Sequence, residues 1–286
     1  MDNILEIKGI IKRYDSFSLN DISFNLPAGF IMGLVGPNGA GKTTIIKAIV
    51  NAINIDDGNI EIFGLDSKRD EIKIKESLGY ISDACYFSEN WTAKDVGTIM
   101  KRLYQTWNDG KYLDFLSRYN LPKDKILKEF SSGMKTKLML ATVFSRDTKL
   151  LILDEPTSGL DPVMRDEFLT LIKEYIRDGE RSVLYSTHIT TDLEKTADYI
   201  TFVHDGRLIF TEEIDTLKER YVLIKDSLDV LDKAKPLCIG FRTNEYGFEA
   251  LTIRSSLNEI PSSCVWQSAN TDEIVVFYSL RGGRLQ

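Results

Sequence analysis

Nine consecutive residues at 36–44, GPNGAGKTT, bring together the residue types that can hold a polyphosphate. Gly36, Gly39 and Gly41 let a backbone turn tightly with its N–H groups directed inward, where an anion can sit. An apolar run at 30–35 precedes the loop and a helix-like run at 44–50 follows it. The context is therefore strand, loop, helix, and the helix would offer its positive N-terminal end to the same anion. Lys42 is placed to reach the β- and γ-phosphates and the Thr43 hydroxyl to ligate Mg²⁺, with Asn38 and Thr44 in the same loop.

A second constellation follows the apolar run LLIL at 150–153, which reads as a buried strand ending in Asp154-Glu155-Pro156. Two carboxylates then stand at the C-terminal end of a strand, where open α/β sheets bind ligands. Asp154 suits the Mg²⁺ shell of a bound nucleotide. Glu155 could orient and deprotonate an attacking water, work that contributes roughly 10²–10⁴-fold. His188 stands just past the strand 182–185, where it could hydrogen-bond a γ-phosphate or that water; by itself it reads rather as a helix-start residue. His204, at a His-Asp-Gly turn, reads as a surface histidine.

Three further stretches are ambiguous when taken alone. Tyr14 could stack on a nucleobase, worth roughly 1–3 kcal/mol, or simply be a strand aromatic. Ser131 and Gly133 lie in FSSG, directly before the helical run 134–144, and locally that is an ordinary helix cap with N–H groups to spare. SGLD at 158–161, followed by Pro162, is a turn into an amphipathic helix over 163–176.

The elements that must carry these groups alternate between strand and helix. Residues 4–7, 10–11, 19–26, 59–63 and 78–81 read as strands, and from 93 to 146 the apolar spacing turns to three and four, a helical insertion. Past residue 220, strands are expected at 221–225, 237–242, 248–253 and 274–278, with helices at 227–235 and 255–260; that order suggests a small ferredoxin-like α+β domain. At 286 residues the chain has room for one large α/β domain and a small appendage. A net charge of −7 argues against nucleic-acid binding through bulk charge. No secretory leader is evident at the N-terminus and no apolar run approaches the ~18 residues of a membrane span, so a cytoplasmic location is expected. Cys85, Cys238 and Cys264 have neither metal-ligand nor disulfide spacing and are expected to pack.

In order, GPNGAGKTT, FSSGM, LLILDEP, SGLD and STH resemble the motifs of the nucleotide-binding subunit of an ATP-binding cassette (ABC) transporter. The resemblance covers residues 1–219. It implies an α/β P-loop NTPase core with an N-terminal antiparallel β subdomain and a helical subdomain at about 84–147, leaving 220–286 as the small C-terminal α+β domain, for dimerisation or regulation. It implies ATP and Mg²⁺ as cofactors, and a head-to-tail homodimer or heterodimer with two ATP molecules sandwiched between the subunits. By the same resemblance Tyr14 is the adenine-stacking aromatic, Ser131 and Gly133 are the signature contacts to the partner's γ-phosphate, Asp161 is the trans-acting aspartate and His188 the switch histidine.

Three positions depart from the family pattern. Ser132 and Met134 replace a signature glycine and glutamine, and Asp83 stands where the family places a glutamine; a carboxylate there can still ligate Mg²⁺. The acidic replacement and short insertion look most like bacterial ABC-2-type exporters. That implies transmembrane permease partners, no nucleic acid, and a peripheral place on the inner face of the membrane, with the aromatic loop 85–91 near the groove for the permease's coupling helix. The alternatives are a soluble ABC ATPase remodelling a macromolecule, as in iron–sulfur assembly, repair or translation, and a nucleotide-dependent binding module with little turnover.

Overall fold

A computed structural model describes residues 2–82, 84–158 and 160–280. The chain opens with strands β1 (Asn3–Arg13), β2 (Ser18–Pro27) and β3 (Ile31–Val35), then helix α1 (Lys42–Ile49), β4 (Asp57–Ile62), β5 (Leu65–Asp66), α2 (Glu71–Ser77) and β6 (Leu78–Ser82). A helical segment follows, with α3 (Ala93–Leu103), α4 (Asp109–Arg118) and α5 (Ser132–Phe144). The strand–helix alternation resumes in β7 (Leu150–Asp154), α6 (Pro162–Tyr175), β8 (Ser182–Ser186), α7 (Thr190–Thr196), β9 (Tyr199–His204), β10 (Arg207–Glu213) and α8 (Ile214–Arg220). Last come β11 (Tyr221–Asp226), α9 (Leu231–Ala234), β12 (Cys238–Asn244), β13 (Gly247–Ile253), β14 (Val265–Ser268) and α10 (Thr271–Ser279).

Three sheets result. An antiparallel one runs β2-β1-β4-β5, and the central one runs β10-β9-β3-β8-β7-β6, parallel except for the β10 edge. Every residue of β3, β7 and β8 is buried, which is why they read as near-continuous apolar runs. Their side chains alternate between two cores. Met32, Leu34, Leu150, Ile152 and Leu184 face the antiparallel sheet and α1, while Ile31, Val35, Leu151, Leu153, Val183 and Tyr185 face α5, α6 and α7. The helical segment has a core of its own, in which Val96, Met100, Tyr112, Leu116, Phe130 and Leu138 meet. A complete capping box starts α3, with Thr92 and Asp95 satisfying each other's backbone N–H groups.

The third sheet, β12-β13-β11-β14, is antiparallel throughout. Tyr221, Leu223 and Leu251 turn to the same core as β7 and β8, whereas Val222, Ile224, Phe248 and Ala250 form a separate core on the other face. One face of the C-terminal sheet is thus continuous with the nucleotide-fold core. The strand expected at 274–278 is instead part of helix α10. Asn270 caps it in a capping box with Glu273, and Ile274 and Phe277, three residues apart, are both buried; this outweighs the β-branched run Ile274-Val275-Val276. The fourth strand is Val265–Ser268, exposed at every residue and so without the alternation that announces a strand. The helices expected at 227–235 and 255–260 are mostly 3₁₀ turns around the short α9.

Candidate functional site

Strands β3, β8 and β7 are neighbours in parallel register, with Leu34 opposite Ser186 and Ser186 opposite Asp154. Their C-terminal ends therefore finish level, and the loops leaving them meet. From β3 comes the 36–41 loop. A Cβ on Gly36 would lie 2.2 Å from the carbonyl oxygen of Val203, so the start of the loop is closed against the end of β9 by a contact that only glycine permits. Gly39 and Gly41 take positive φ angles of 81° and 112°. No side chain caps the N-terminus of α1 and no acidic residue stands in its first turn, so its leading N–H groups remain available to an anion. Asn38, Gly39 and Thr43 are exposed, as a loop that must meet a soluble ligand requires, and Thr44 is half-buried.

The Lys42 side chain is buried and curls back over the loop, donating to the carbonyl oxygens of Gly36 at 2.7 Å and Pro37 at 3.3 Å. Burial lowers the pKa of this ammonium, and the Glu155 and Asp154 carboxylates oppose the shift. The Thr43 hydroxyl points at Asp154 Oδ1 from 3.5 Å. A hydroxyl and a carboxylate that converge beside a phosphate loop fit Mg²⁺, which takes one or two protein oxygens and completes its shell with phosphate and water.

Glu155 has a φ of 50°, in the left-handed region that a non-glycine residue enters only when its surroundings hold it there. Its N–H donates to the Ser186 carbonyl at 3.0 Å, tying β7 to β8. Its Oε2 lies 2.7 Å from His188 Nδ1. An ionised carboxylate only accepts, so Nδ1 carries the proton in this contact. Lys42, Thr43, Asp154, Glu155 and His188 are thus brought to one place from three strand ends.

The other sequence-marked residues sit apart from this group. Tyr14 is 47% exposed on the turn after β1, with Lys12 Nζ 5.4 Å from its ring centroid. That turn adjoins the phosphate loop, since a Cβ on Gly41 would meet Leu19 and Phe17. Ser131 caps α5, its Oγ accepting from Met134 N–H at 3.2 Å. Asp161 caps α6, Oδ1 accepting from Val163 and Met164 N–H at 3.0 Å each. Gly133 joins the two helix starts, because a side chain there would strike Met164 Cε at 2.6 Å. Ser131, Gly133 and Asp161 therefore share one surface built from two helix N-termini, and no hydrogen bond of theirs reaches the phosphate loop among the described residues. Asp83 lies outside the described residues.

Two features escaped the sequence reading. The turn after His204 braces the phosphate loop, Gly206 N–H donating to the Ala40 carbonyl at 3.0 Å; its His-Asp-Gly pattern marks a turn and nothing more. Behind Glu155, Thr157, Tyr185 and Asp192 form a buried polar cluster that no motif announces. All three cysteines are free and half-buried, and no described helix is long and apolar enough to cross a membrane.

Against known families, residues 19–158 match the model described as ABC transporter. The chain is 32% identical over 227 residues to the ABC transporter ATP-binding protein YtrB of Bacillus subtilis (strain 168), covering 79% of this chain and 77% of that one. It is 32% identical over 215 residues to the lantibiotic transport ATP-binding protein SrtF of Streptococcus pyogenes, covering 74% and 92%. Among solved structures, an ATP-binding subunit of an ABC transporter superposes with a TM-score of 0.69 at 27% identity, over 75% of this chain and 92% of the other.

Proposed function

We propose that this chain, which belongs to the family of ABC transporter ATP-binding subunits and is an ATPase, powers an exporter by closing on a second cassette with ATP between them. The observation that carries the proposal is the Glu155–His188 pair, set at the ends of β7 and β8 beside the phosphate loop of β3.

Roles follow from position. The first-turn N–H groups of α1 and the Lys42 ammonium hold the phosphates, and Tyr14 stacks on the adenine. Thr43 and Asp154 would hold Mg²⁺, which neutralises phosphate charge as it redistributes in the transition state. Glu155 aligns the attacking water and takes its proton; His188, held by Glu155, reaches the γ-phosphate. Ser131, Gly133 and Asp161 make no hydrogen bond to this chain's own phosphate loop among the described residues, and they serve the nucleotide of a facing cassette, where the N-terminus of α5 adds positive potential. ATP then bridges two subunits, and hydrolysis removes the bridging γ-phosphate and lets them part, a two-state switch driven by differential contacts.

The partner in the membrane binds the helical side. Tyr80, Tyr86, Phe87, Trp91, Met100 and Tyr104 line a groove of about 550 Å³ that suits an apolar helix end from a permease. SrtF is named for lantibiotic transport, and a peptide, antibiotic or lipid-like cargo moving outward is the matching reading here, with the chain on the cytoplasmic face. A tagged chain captured from detergent-solubilised native membranes should bring down a polytopic protein of about six spans. A purely soluble partner would overturn the transporter assignment in favour of a remodelling ATPase.

A further inference from the structure

Thr157 lies two residues after Glu155 and Asp192 four residues after His188. Thr157 Oγ1 donates to Asp192 Oδ2 at 3.1 Å, and both hydroxyls of the Thr157–Tyr185 contact, 2.9 Å apart, lie against that carboxylate, Tyr185 at 3.3 Å. Thr157 and Tyr185 are fully buried and Asp192 is 2% exposed. Arg165 Nε, 3.8 Å from Asp192 Oδ2, is the cation facing it. The same two chain segments are therefore fastened twice: in front by Glu155 and His188, and behind by Thr157 and Asp192.

A first-turn acid on a helix such as α7 is ordinary, since it suits the helix dipole. That account needs neither burial nor a partner 35 residues away in the chain, and Asp192 has both. Proton counting shows what the carboxylate does. The two hydroxyl protons can fill at most two of the three contacts, and an acceptor-only carboxylate can take both. The cluster also sits beside a strained backbone position, since Glu155, in the loop that Thr157 anchors, is left-handed with a φ of 50°.

We infer that Asp192 is a positioning residue for the hydrolytic pair: by gripping Thr157 and Tyr185 it sets the loop bearing Glu155 against the turn bearing His188. This rests on the ATPase reading of the site. Asp192 is buried behind the pair and bonded to Thr157 and Tyr185, so its loss should lower turnover without weakening nucleotide binding. A displacement of about 1 Å at such a pair can cost ~100-fold.

The test compares Asp192→Asn, Asp192→Glu, Thr157→Val and the Thr157→Val/Asp192→Asn double variant in the full chain. Expected is a kcat lower by about 10- to 100-fold for Asp192→Asn and for Thr157→Val, with KM for ATP within about twofold. The double variant should be no worse than the poorer single one, and Asp192→Glu should recover part of the loss. With only two histidines in the chain, the imidazole ¹⁵N resonances can be assigned through His204→Gln, and those of His188 should move in the Asp192 and Thr157 variants. Parental kcat and unmoved His188 resonances in both single variants would overturn the inference, as would equal losses in kcat, affinity and melting temperature. The resonance arm decides the matter even in a chain that hydrolyses nothing, so a failure of the ATPase reading is told apart from a failure of this one.

Discussion

The rim of the central sheet and the C-terminal sheet are built from the same materials and answer to different constraints. At the rim, β3, β7 and β8 are buried throughout, and each ends in a residue type that ligand chemistry demands: a glycine loop with Lys42, the Asp154-Glu155 pair, and His188. In the C-terminal sheet the buried residues answer to packing. Leu223 and Leu251 face one core and Ile224 and Ala250 another, and many apolar side chains would serve. A substitution at the rim should therefore change chemistry with little effect on stability, and one in the C-terminal sheet the reverse.

Glu155→Gln should show the largest effect. Turnover measured by phosphate release should fall by roughly 10²–10⁴-fold while nucleotide affinity and melting temperature stay near those of the parent. Phe277→Ala should do the opposite, costing about 3–5 kcal/mol of stability because its ring fills the core shared by α10 and the central sheet. One cooperative thermal transition, shifted as a whole, is expected. Two transitions with only the smaller one moved would break the comparison by making the C-terminal sheet an independent unit. Asn270→Ala removes the α10 capping box and should cost ~1 kcal/mol by denaturant titration, again without a proportionate loss of turnover.

The smallest effect belongs to Glu249. Lys225 at 2.6 Å, first, and Arg242 hold its carboxyl below the ordinary glutamate range against partial burial. A depressed folded-state pKa stabilises above the unfolded value of about 4.3 and is lost as pH falls through the folded value. Both cations are well exposed, so Glu249→Gln should cost less than ~1 kcal/mol at pH 7 and nothing at the acid end. An undiminished difference between parent and variant at low pH would contradict this.

What could be read in the chain beforehand divides along the same line. The placing of Lys42, Asp154 and Glu155 was legible because each stands at a strand–loop junction whose flanking pattern marks it, whereas His188, which alone reads as a helix start, was singled out by the family resemblance. Helix α10 was not, since Ile274-Val275-Val276 has strand composition and only the Asn270–Glu273 box betrays a helix start. Nor was β14, whose four residues are all exposed. Helix α2 has a single buried residue, Ile74, too little for a periodic signal. The Thr157–Tyr185–Asp192 cluster was invisible for a different reason: it joins three elements in space, and each member is commonplace in its own stretch.

The most direct test of the account is the mass of Glu155→Gln in solution, by light scattering, with saturating Mg-ATP and then with Mg-ADP. A chain that closes on a second copy around ATP should double in mass with ATP and remain single with ADP. A single mass in both nucleotides, with binding shown in the same sample, would contradict the self-paired sandwich and with it the role given to Ser131, Gly133 and Asp161 in a facing copy of this chain.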